Sequence, residues 1–131
     1  MKRGEALHLD VANDASLAQA IGTVLAREGR LDVLVNNAGF GIAGAIEDKS
    51  IDEARKEFEV NFFGVVRTCR AALPAMRQQK AGYIVNIGSI GGLIAIPFQG
   101  FYSASASPDI LHSKTALDTR LDSGLGLSRS L

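Results

Sequence analysis

The sequence has little cysteine and no tryptophan: among its 131 residues, Cys69 is the single cysteine. One cysteine cannot close a disulfide within the chain, and small chains without disulfides are typical of reducing compartments. We therefore expect a cytoplasmic location. Cys69 falls within a helical pattern, where a cysteine more often serves as a small core residue than as a reactive thiol.

The sequence also lacks an excess of charge and a long apolar run. Fourteen basic residues balance fourteen acidic ones, which gives no basis for a nucleic acid or an anionic membrane as partner. No stretch reaches the roughly 18 apolar residues of a membrane helix. No apolar run follows the basic start MKRGEALHLD, so we expect no signal peptide. A hydrophobic content of 47% and a charged content of 21% instead predict one small globular domain.

What the sequence does contain is an alternation of strand-like and helix-like segments, which predicts a parallel α/β sheet with right-handed crossovers. Residues 1–105 carry this alternation and form the predicted domain, whereas residues 106–131 are rich in Ser, Gly and Asp and are predicted to form an irregular tail. The predicted elements are, in order, a strand ending near Asp10, a helix over 13–29 that stops at Gly29, a strand over 31–35, a helix over 50–79 and a strand over 82–89.

The long helix has a defined start and an interruption near its end. Ser50 and Glu53 have the spacing of a capping box. An apolar stripe follows at helical spacing over residues 51–76. Pro74 either kinks this helix late or marks its last turns.

Polar or glycine-rich groups follow all three predicted strands, where parallel sheets bind ligands. These groups are Asp10 with Val11, the loop that begins Asn36-Asn37-Ala38-Gly39, and Ser89. Each has an ordinary structural interpretation as well. An aspartate after a strand is often a helix cap, Asn-Asn-Ala-Gly is a good turn, and Ser89 alone would be a loop serine.

The three groups together are more specific, because Tyr102 follows Ser89 at a distance of thirteen residues. The chain here resembles the short-chain dehydrogenase/reductase family over residues 5–105. The family fold is a doubly wound, Rossmann-like parallel sheet, of which this chain would carry a part that starts at the third strand. The matching stretches are LDV at 9–11, LDVLVNNAG at 31–39, NFFG at 61–64, YIVNIGSIGG at 83–92 and FYSAS at 101–105.

The resemblance implies an activity, hydride transfer between NAD or NADP and an alcohol or carbonyl. The loop GGLIAIPFQGFYSAS resembles members that act on steroid or retinoid-like hydroxyls. No metal is implied. For the cofactor, the resemblance implies that Asp10 and Val11 contact the adenine and that the backbone at Asn37, Ala38 and Gly39 approaches the cofactor closely. For the reaction, it implies that Ser89 hydrogen-bonds the substrate carbonyl and that Tyr102 is the acid–base catalyst. Asn61 would hold a water molecule. The alternative for Asn61 is an ordinary asparagine inside a helix.

The family also implies a lysine four residues after the tyrosine, where this chain has Ala106. That ammonium would stabilise the phenolate and hold the nicotinamide ribose. Lys114 comes twelve residues after Tyr102, roughly 18 Å along a helix, and Pro108 would break such a helix. Removing residues 106–113 restores the family spacing, so this segment is either an insertion or a reading-frame error. Lys114 is kept as a displaced candidate catalytic residue.

A second family feature, the glycine-rich turn that binds pyrophosphate, does not precede Asp10. We therefore expect weak cofactor binding and weak or no activity. The resemblance also leaves an alternative function open. An inactive chain would act as a homo-oligomer or as the partner of a complete relative, through the helix stripe at 51–76.

Overall fold

The computed structural model describes residues 4–106. The predicted boundary near residue 105 therefore lies at the edge of the described part, and the predicted tail beyond Ala106, with Lys114, lies outside it. The helices are α1 (Asp14–Glu28), α2 (Ile51–Phe58), α3 (Gly64–Gln79) and α4 (Gly100–Ser105); the strands are β1 (Val33–Asn36) and β2 (Tyr83–Asn86); a π-helical segment, Glu59–Phe63, joins α2 to α3, and short 3₁₀ turns occur at Ile46–Asp48 and Ile90–Gly92.

The sheet of the described region consists of β1 and β2, which run parallel. The register pairs Val33 with Tyr83 and Asn36 with Asn86. One further backbone bond extends the ladder, since the Ile87 N–H donates to the Asn36 carbonyl at 2.9 Å. The parallel pairing with a helical crossover confirms the predicted α/β class, and it brings the residues after both strands to one edge of the sheet.

The predicted strand ending near Asp10 is wrong for this structure, because residues 4–10 form no strand. A strand needs a neighbour to satisfy its backbone groups, and no segment within residues 4–106 pairs with this one. Asp10 instead opens the turn into α1: its Oδ1 accepts from the Ala12 N–H at 2.9 Å. Its carbonyl accepts from the Asn13 N–H at 3.1 Å.

Local signals in the sequence set both ends of α1. The Asn13 side chain accepts a hydrogen bond from the Ser16 N–H at 3.0 Å, as an N-cap residue does. Gly29 ends the helix with φ of 73°, a left-handed conformation that favours glycine. The predicted stop at Gly29 is confirmed.

The predicted long helix is present, but it is not a uniform α-helix. Both bonds of the capping box form between Ser50 and Glu53. The π-helical segment Glu59–Phe63 then interrupts the regular pattern. Pro74 lies inside α3 without ending it, in the last turns before Gln79.

The core lies between the long helix, α1 and one face of the sheet. Leu17, Ala72 and Met76 are buried there, and α3 packs against both α1 and β1. The opposite sheet face is open within the described region, since Val33, Val35, Tyr83 and Val85 are exposed. No helix formed by residues 4–106 is both long and apolar enough to cross a membrane.

Candidate active site

A cavity of about 160 Å³ lies at the sheet edge where β1 and β2 end. Its walls come from four separate segments: the loop after β1, the π-helical segment, the loop after β2 and α4. Six of the residues that the sequence singled out line it together, namely Asn37, Ala38, Gly39, Asn61, Ser89 and Tyr102. The structure therefore brings most of the predicted site into one place.

The ring of Tyr102 is confined by two glycines. A Cβ built at Gly41 would lie 2.9 Å from one edge of the ring, and a Cβ built at Gly91 would lie 3.0 Å from the other edge. The Gly41 distance is shorter than real Cβ contacts and the Gly91 distance lies at their lower limit, so the ring position excludes a side chain at Gly41 and disfavours one at Gly91. The loops after β1 and β2 thus hold the tyrosine between them.

Ser89 lies on the same cavity wall and shapes the loop after β2. Its Oγ accepts a hydrogen bond from the Gly91 N–H at 3.2 Å. A hydroxyl that accepts one bond still has its own O–H to donate. Ser89 can therefore donate to an oxygen atom in the cavity while it fixes the turn that carries Gly91.

Asn61 is buried and binds the loop after β1. Its Oδ1 accepts from the Phe40 N–H at 3.0 Å, and its Nδ2 donates to the Phe40 carbonyl at 2.8 Å. The same Nδ2 donates to Ser105 Oγ at 2.9 Å. A Cβ at Gly39 would approach Asn61 Oδ1 to 3.1 Å, so the loop passes very close to this amide. Both amide hydrogens are used within the protein, which makes Asn61 a structural anchor of the site as well as a lining residue.

Glu57 is a buried residue next to the site that the sequence reasoning missed. Its side chain is fully buried, at 0% exposure. Oε2 accepts from the Ile42 N–H at 3.3 Å, and Oε1 accepts from Ser105 Oγ at 3.3 Å. Burial raises the pKa of the Glu57 carboxyl, while these hydrogen bonds lower it by less. The available signal was its position four residues before Asn61, on the same helix face.

A second polar group surrounds Asn36, which lines the cavity; its partners Thr68 and Asn86 were not singled out in the sequence. Asn36 Oδ1 accepts from Thr68 Oγ1 at 2.6 Å, and Asn36 Nδ2 donates to Asn86 Oδ1 at 2.8 Å. Asn36 and Asn86 are register partners at the ends of the two strands. Cys69 lies beside Asn36, and burial raises the pKa of its thiol, which agrees with a structural rather than a reactive cysteine.

The remaining predicted residues do not line this cavity. Asp10 is used in the turn before α1, where its Oδ1 accepts from the Ala12 N–H, but it does not cap the helix, because the N-cap of α1 is Asn13. Val11 packs on Gly64 at the start of α3, where an added Cβ would lie 2.9 Å from Val11 Cγ2. The position four residues after Tyr102 does reach the cavity, but it is occupied by Ala106, which is 8% exposed. Lys114 lies outside the described residues.

Sequence comparison decides the family. The family model for short chain dehydrogenases matches residues 2–108, which is most of the chain. This chain belongs to the short-chain dehydrogenase family. The resemblance carried by the strand-end motifs and by the spacing of Ser89 and Tyr102 is thereby confirmed.

Two curated members of the family are similar to most of this chain. The 3-ketodihydrosphingosine reductase of Bacteroides thetaiotaomicron is 52% identical over 99 residues, which cover 76% of this chain and 37% of that protein. Human retinol dehydrogenase 8 is 43% identical over 97 residues, covering 74% of this chain and 30% of that protein. The chain thus spans about a third of the length of the curated relatives it matches.

Solved structures of the family share the fold. A short-chain dehydrogenase from Streptomyces avermitilis superposes with a TM-score of 0.73 at 44% identity, covering 79% of this chain and 38% of that one. The NADP-bound structure of ElxO gives a TM-score of 0.72 at 33% identity, covering 76% and 41%. These matches confirm the predicted Rossmann-like class for the described region, as part of a larger doubly wound sheet.

Proposed function

We propose that this short-chain dehydrogenase chain carries the reacting end of a site for hydride transfer between a nicotinamide cofactor and an alcohol or carbonyl. The observation that carries the proposal is the single cavity lined by Ser89, Tyr102 and the loop 37–39. An acid–base phenol and a hydroxyl donor lie there at the ends of parallel strands, where such folds bind ligands.

The side chains divide the chemistry between them. In reduction, the Tyr102 phenol donates its proton to the carbonyl oxygen of the substrate, and in oxidation the phenolate accepts it back. The Ser89 O–H donates a hydrogen bond to the same oxygen and stabilises the charge that develops on it. Asn61 keeps the loop 37–39 against the cavity through its bonds to Phe40. The cofactor, when bound, supplies or accepts the hydride.

The described residues fit one end of a nicotinamide cofactor. A cavity of about 160 Å³ is smaller than the ~300 Å³ lower bound of ordinary ligand pockets, so it suits a single ring with the reacting carbonyl rather than a dinucleotide. The turn that precedes α1 reads Val11-Ala12-Asn13, without glycine, so a pyrophosphate turn is not part of this region. NAD and NADP carry the same nicotinamide, and the proposal covers both.

Exposed apolar side chains in the loop that follows Ser89 support a large apolar substrate. The loop after Ser89 presents Leu93 at 71% exposure and Phe98 at 67%. Uncovered apolar residues next to a site commonly mark a binding surface. Two relatives are named for 3-ketodihydrosphingosine and retinol, both of which have long apolar portions. A steroid, a retinoid or a long-chain ketone is therefore the substrate class that we propose.

Consumption of NADH or NADPH by the full chain, with a steroid ketone or a long-chain 3-keto compound as substrate, tests this proposal. We expect slow reduction of at least one substrate. Tyr102→Phe removes the proton donor and should lower the rate by roughly 100-fold or more. Tyr83→Phe, at an exposed position, is the matched control and should retain the rate. Reduction that survives Tyr102→Phe, or its absence with every substrate and both cofactors, would contradict the proposal.

A further inference from the structure

Glu57 is the one fully buried carboxylate among the described residues, and neither the family match nor the proposed chemistry uses it. It lies one helical turn before Asn61 on the long helix. Both side chains contact the same two segments, the loop after β1 and α4. A buried charged group is costly unless it is well bonded, so its retention at this point needs a structural reason.

The bonds of Glu57 and Asn61 form one connected group, which we call the loop–helix junction: Glu57, Asn61, Ser105 and the backbone of Phe40 and Ile42. Asn61 binds both backbone groups of Phe40, and Glu57 accepts from Ile42 N–H two residues further along. Ser105 Oγ accepts from Asn61 Nδ2 and donates to Glu57 Oε1. The helix therefore fixes the loop at alternate residues and fixes α4 through a single hydroxyl.

The loop–helix junction holds two segments that position Tyr102, the loop at residues 40–42 and α4. Gly41, whose Cα borders one edge of the Tyr102 ring, lies between the two anchored residues Phe40 and Ile42. Ser105 lies three residues after Tyr102 on α4, and its Oγ is 3.2 Å from the Tyr102 carbonyl. Movement of either the loop or α4 would shift the ring.

We propose that Glu57 is a positioning residue, which holds residues 40–42 and α4 together and thereby fixes the ring of Tyr102 at the cavity. The residue acts through Ile42 and Ser105 and does not touch the cavity itself. This role concerns the arrangement of the site and does not depend on the reaction proposed above, because the ring is held whether or not hydride transfer occurs.

The segments that pack against Glu57 contain few titratable groups, so the pH dependence of stability can report the ionisation of Glu57 itself. Residues 39–42 contain no titratable side chain, and α4 contributes only Tyr102. On α2, Arg55 pairs with Asp52 and Glu53 bonds to Ser50. Among these neighbours no cation pairs with Glu57, and burial raises the pKa of its carboxyl.

Glu57→Gln and Glu57→Ala separate positioning from simple packing. Glutamine keeps the shape, accepts from Ile42 N–H and donates to Ser105, whose hydroxyl then turns to the Tyr102 carbonyl. Alanine removes all of these bonds. With no tryptophan and two tyrosines in the chain, a Tyr83→Phe background leaves Tyr102 as the one source of near-ultraviolet tyrosine circular dichroism. We expect the Gln variant to keep that signal and the Phe40 and Ile42 amide shifts, and the Ala variant to lose both. An Ala variant that retains them overturns the proposal.

If the Ala variant does not fold, the pH dependence of the unfolding free energy of the parent chain and of Glu57→Gln tests the proposal independently. A raised folded pKa means that the folded state binds the proton more tightly than the unfolded state does. The stability from this group is therefore full below the pKa of an exposed glutamate, about 4.3, and is lost as pH rises through the folded value. Glu57→Gln should remove this decline.

Glu53→Gln is the matched control on the same helix. Hydrogen bonds from Ser50 lower the pKa of the Glu53 carboxyl. Its stabilisation is thus present above the pKa of an exposed glutamate and lost as pH falls through the folded value. Removing it should change the pH dependence in the opposite sense. Identical pH profiles for the parent chain and Glu57→Gln would overturn the proposal, since a carboxylate held by the junction must affect stability when it ionises.

Discussion

Ala106 occupies the position one helical turn after Tyr102, at the wall of the cavity. Its backbone N–H donates to the Tyr102 carbonyl at 2.8 Å, so a side chain here continues along the face of α4 that carries the tyrosine. A methyl group supplies no charge to a phenolate. We therefore expect this residue to limit the rate of the proposed reaction.

Ala106→Lys should raise the rate of carbonyl reduction. An ammonium at this position would favour the phenolate form of the neighbouring tyrosine. We expect a gain of about tenfold or more, less than the roughly 100-fold that a positioned acid–base group itself contributes, because the lysine acts through the tyrosine. Initial rates with NADH and NADPH measure it.

Ala106→Met is the matched control for the lysine variant, because it adds similar length without charge. The methionine variant should show no gain. If both variants accelerate the reaction equally, or if neither does, charge next to Tyr102 is not what limits the site.

Among individual residues, the sequence predicted those that line the cavity but did not predict the burial of the Glu57 carboxylate. Ser89 and Tyr102 were found because their spacing and their place after a strand carry the prediction. Glu57 was missed because a glutamate near an amphipathic stripe is ordinarily solvated. Its burial arises only when residues 40–42 and Ser105 close over it, and these contacts are distant in sequence.

At the scale of elements, α4 is a helix of six residues, Gly100–Ser105, which is too short to be stable by itself. Its attachment comes from side chains, and its two serines after Tyr102 differ sharply. Ser105 Oγ bonds Asn61 and Glu57, whereas Ser103 Oγ is buried without a hydrogen-bond partner in the described region.

Ser105→Ala and Ser103→Ala should therefore change the unfolding free energy in opposite directions or by very unequal amounts. Ser105→Ala leaves an amide hydrogen of Asn61 and an oxygen of Glu57 without partners, and should cost about 1–3 kcal/mol of unfolding free energy. Ser103→Ala removes a buried group that is unpaired and should be neutral or slightly stabilising. Urea denaturation of both variants checks this. Equal losses would show that α4 is held by packing rather than by the junction.

The elements were predicted in order but not in detail. Helical periodicity predicted the segment from Ile51 onward, yet it gave no sign of the π-helical turn Glu59–Phe63 that carries Asn61. Such turns depend on tertiary contacts and recur at functional sites. The strand near Asp10 failed for a related reason, since a strand exists only where a partner pairs with it, and the apolar pattern does not reveal the partner.

At the scale of the whole molecule, the site is assembled from segments far apart in the chain, and one face of the sheet is uncovered. Tyr83 is 74% exposed and Val35 is 55% exposed on that face within the described region. The cavity is lined by Asn36 at the end of β1, whose side chain is held by Thr68 and Asn86. The exposed residues on that face, such as Val35 and Tyr83, are not among the residues that line the cavity.

The central claim, that this cavity receives the nicotinamide end of the cofactor, is tested most directly by mapping amide chemical shifts in the isotope-labelled full chain during titration with NADH and NADPH. This measurement detects weak binding and does not require turnover. We predict that the amides of Asn37, Gly39, Gly88 and Ser89, which line the cavity, shift together and saturate with one affinity, while those of Thr23 and Gly29 on the far end of α1 do not. Shifts confined to residues outside the cavity, or none at the highest attainable cofactor concentration, would contradict the account.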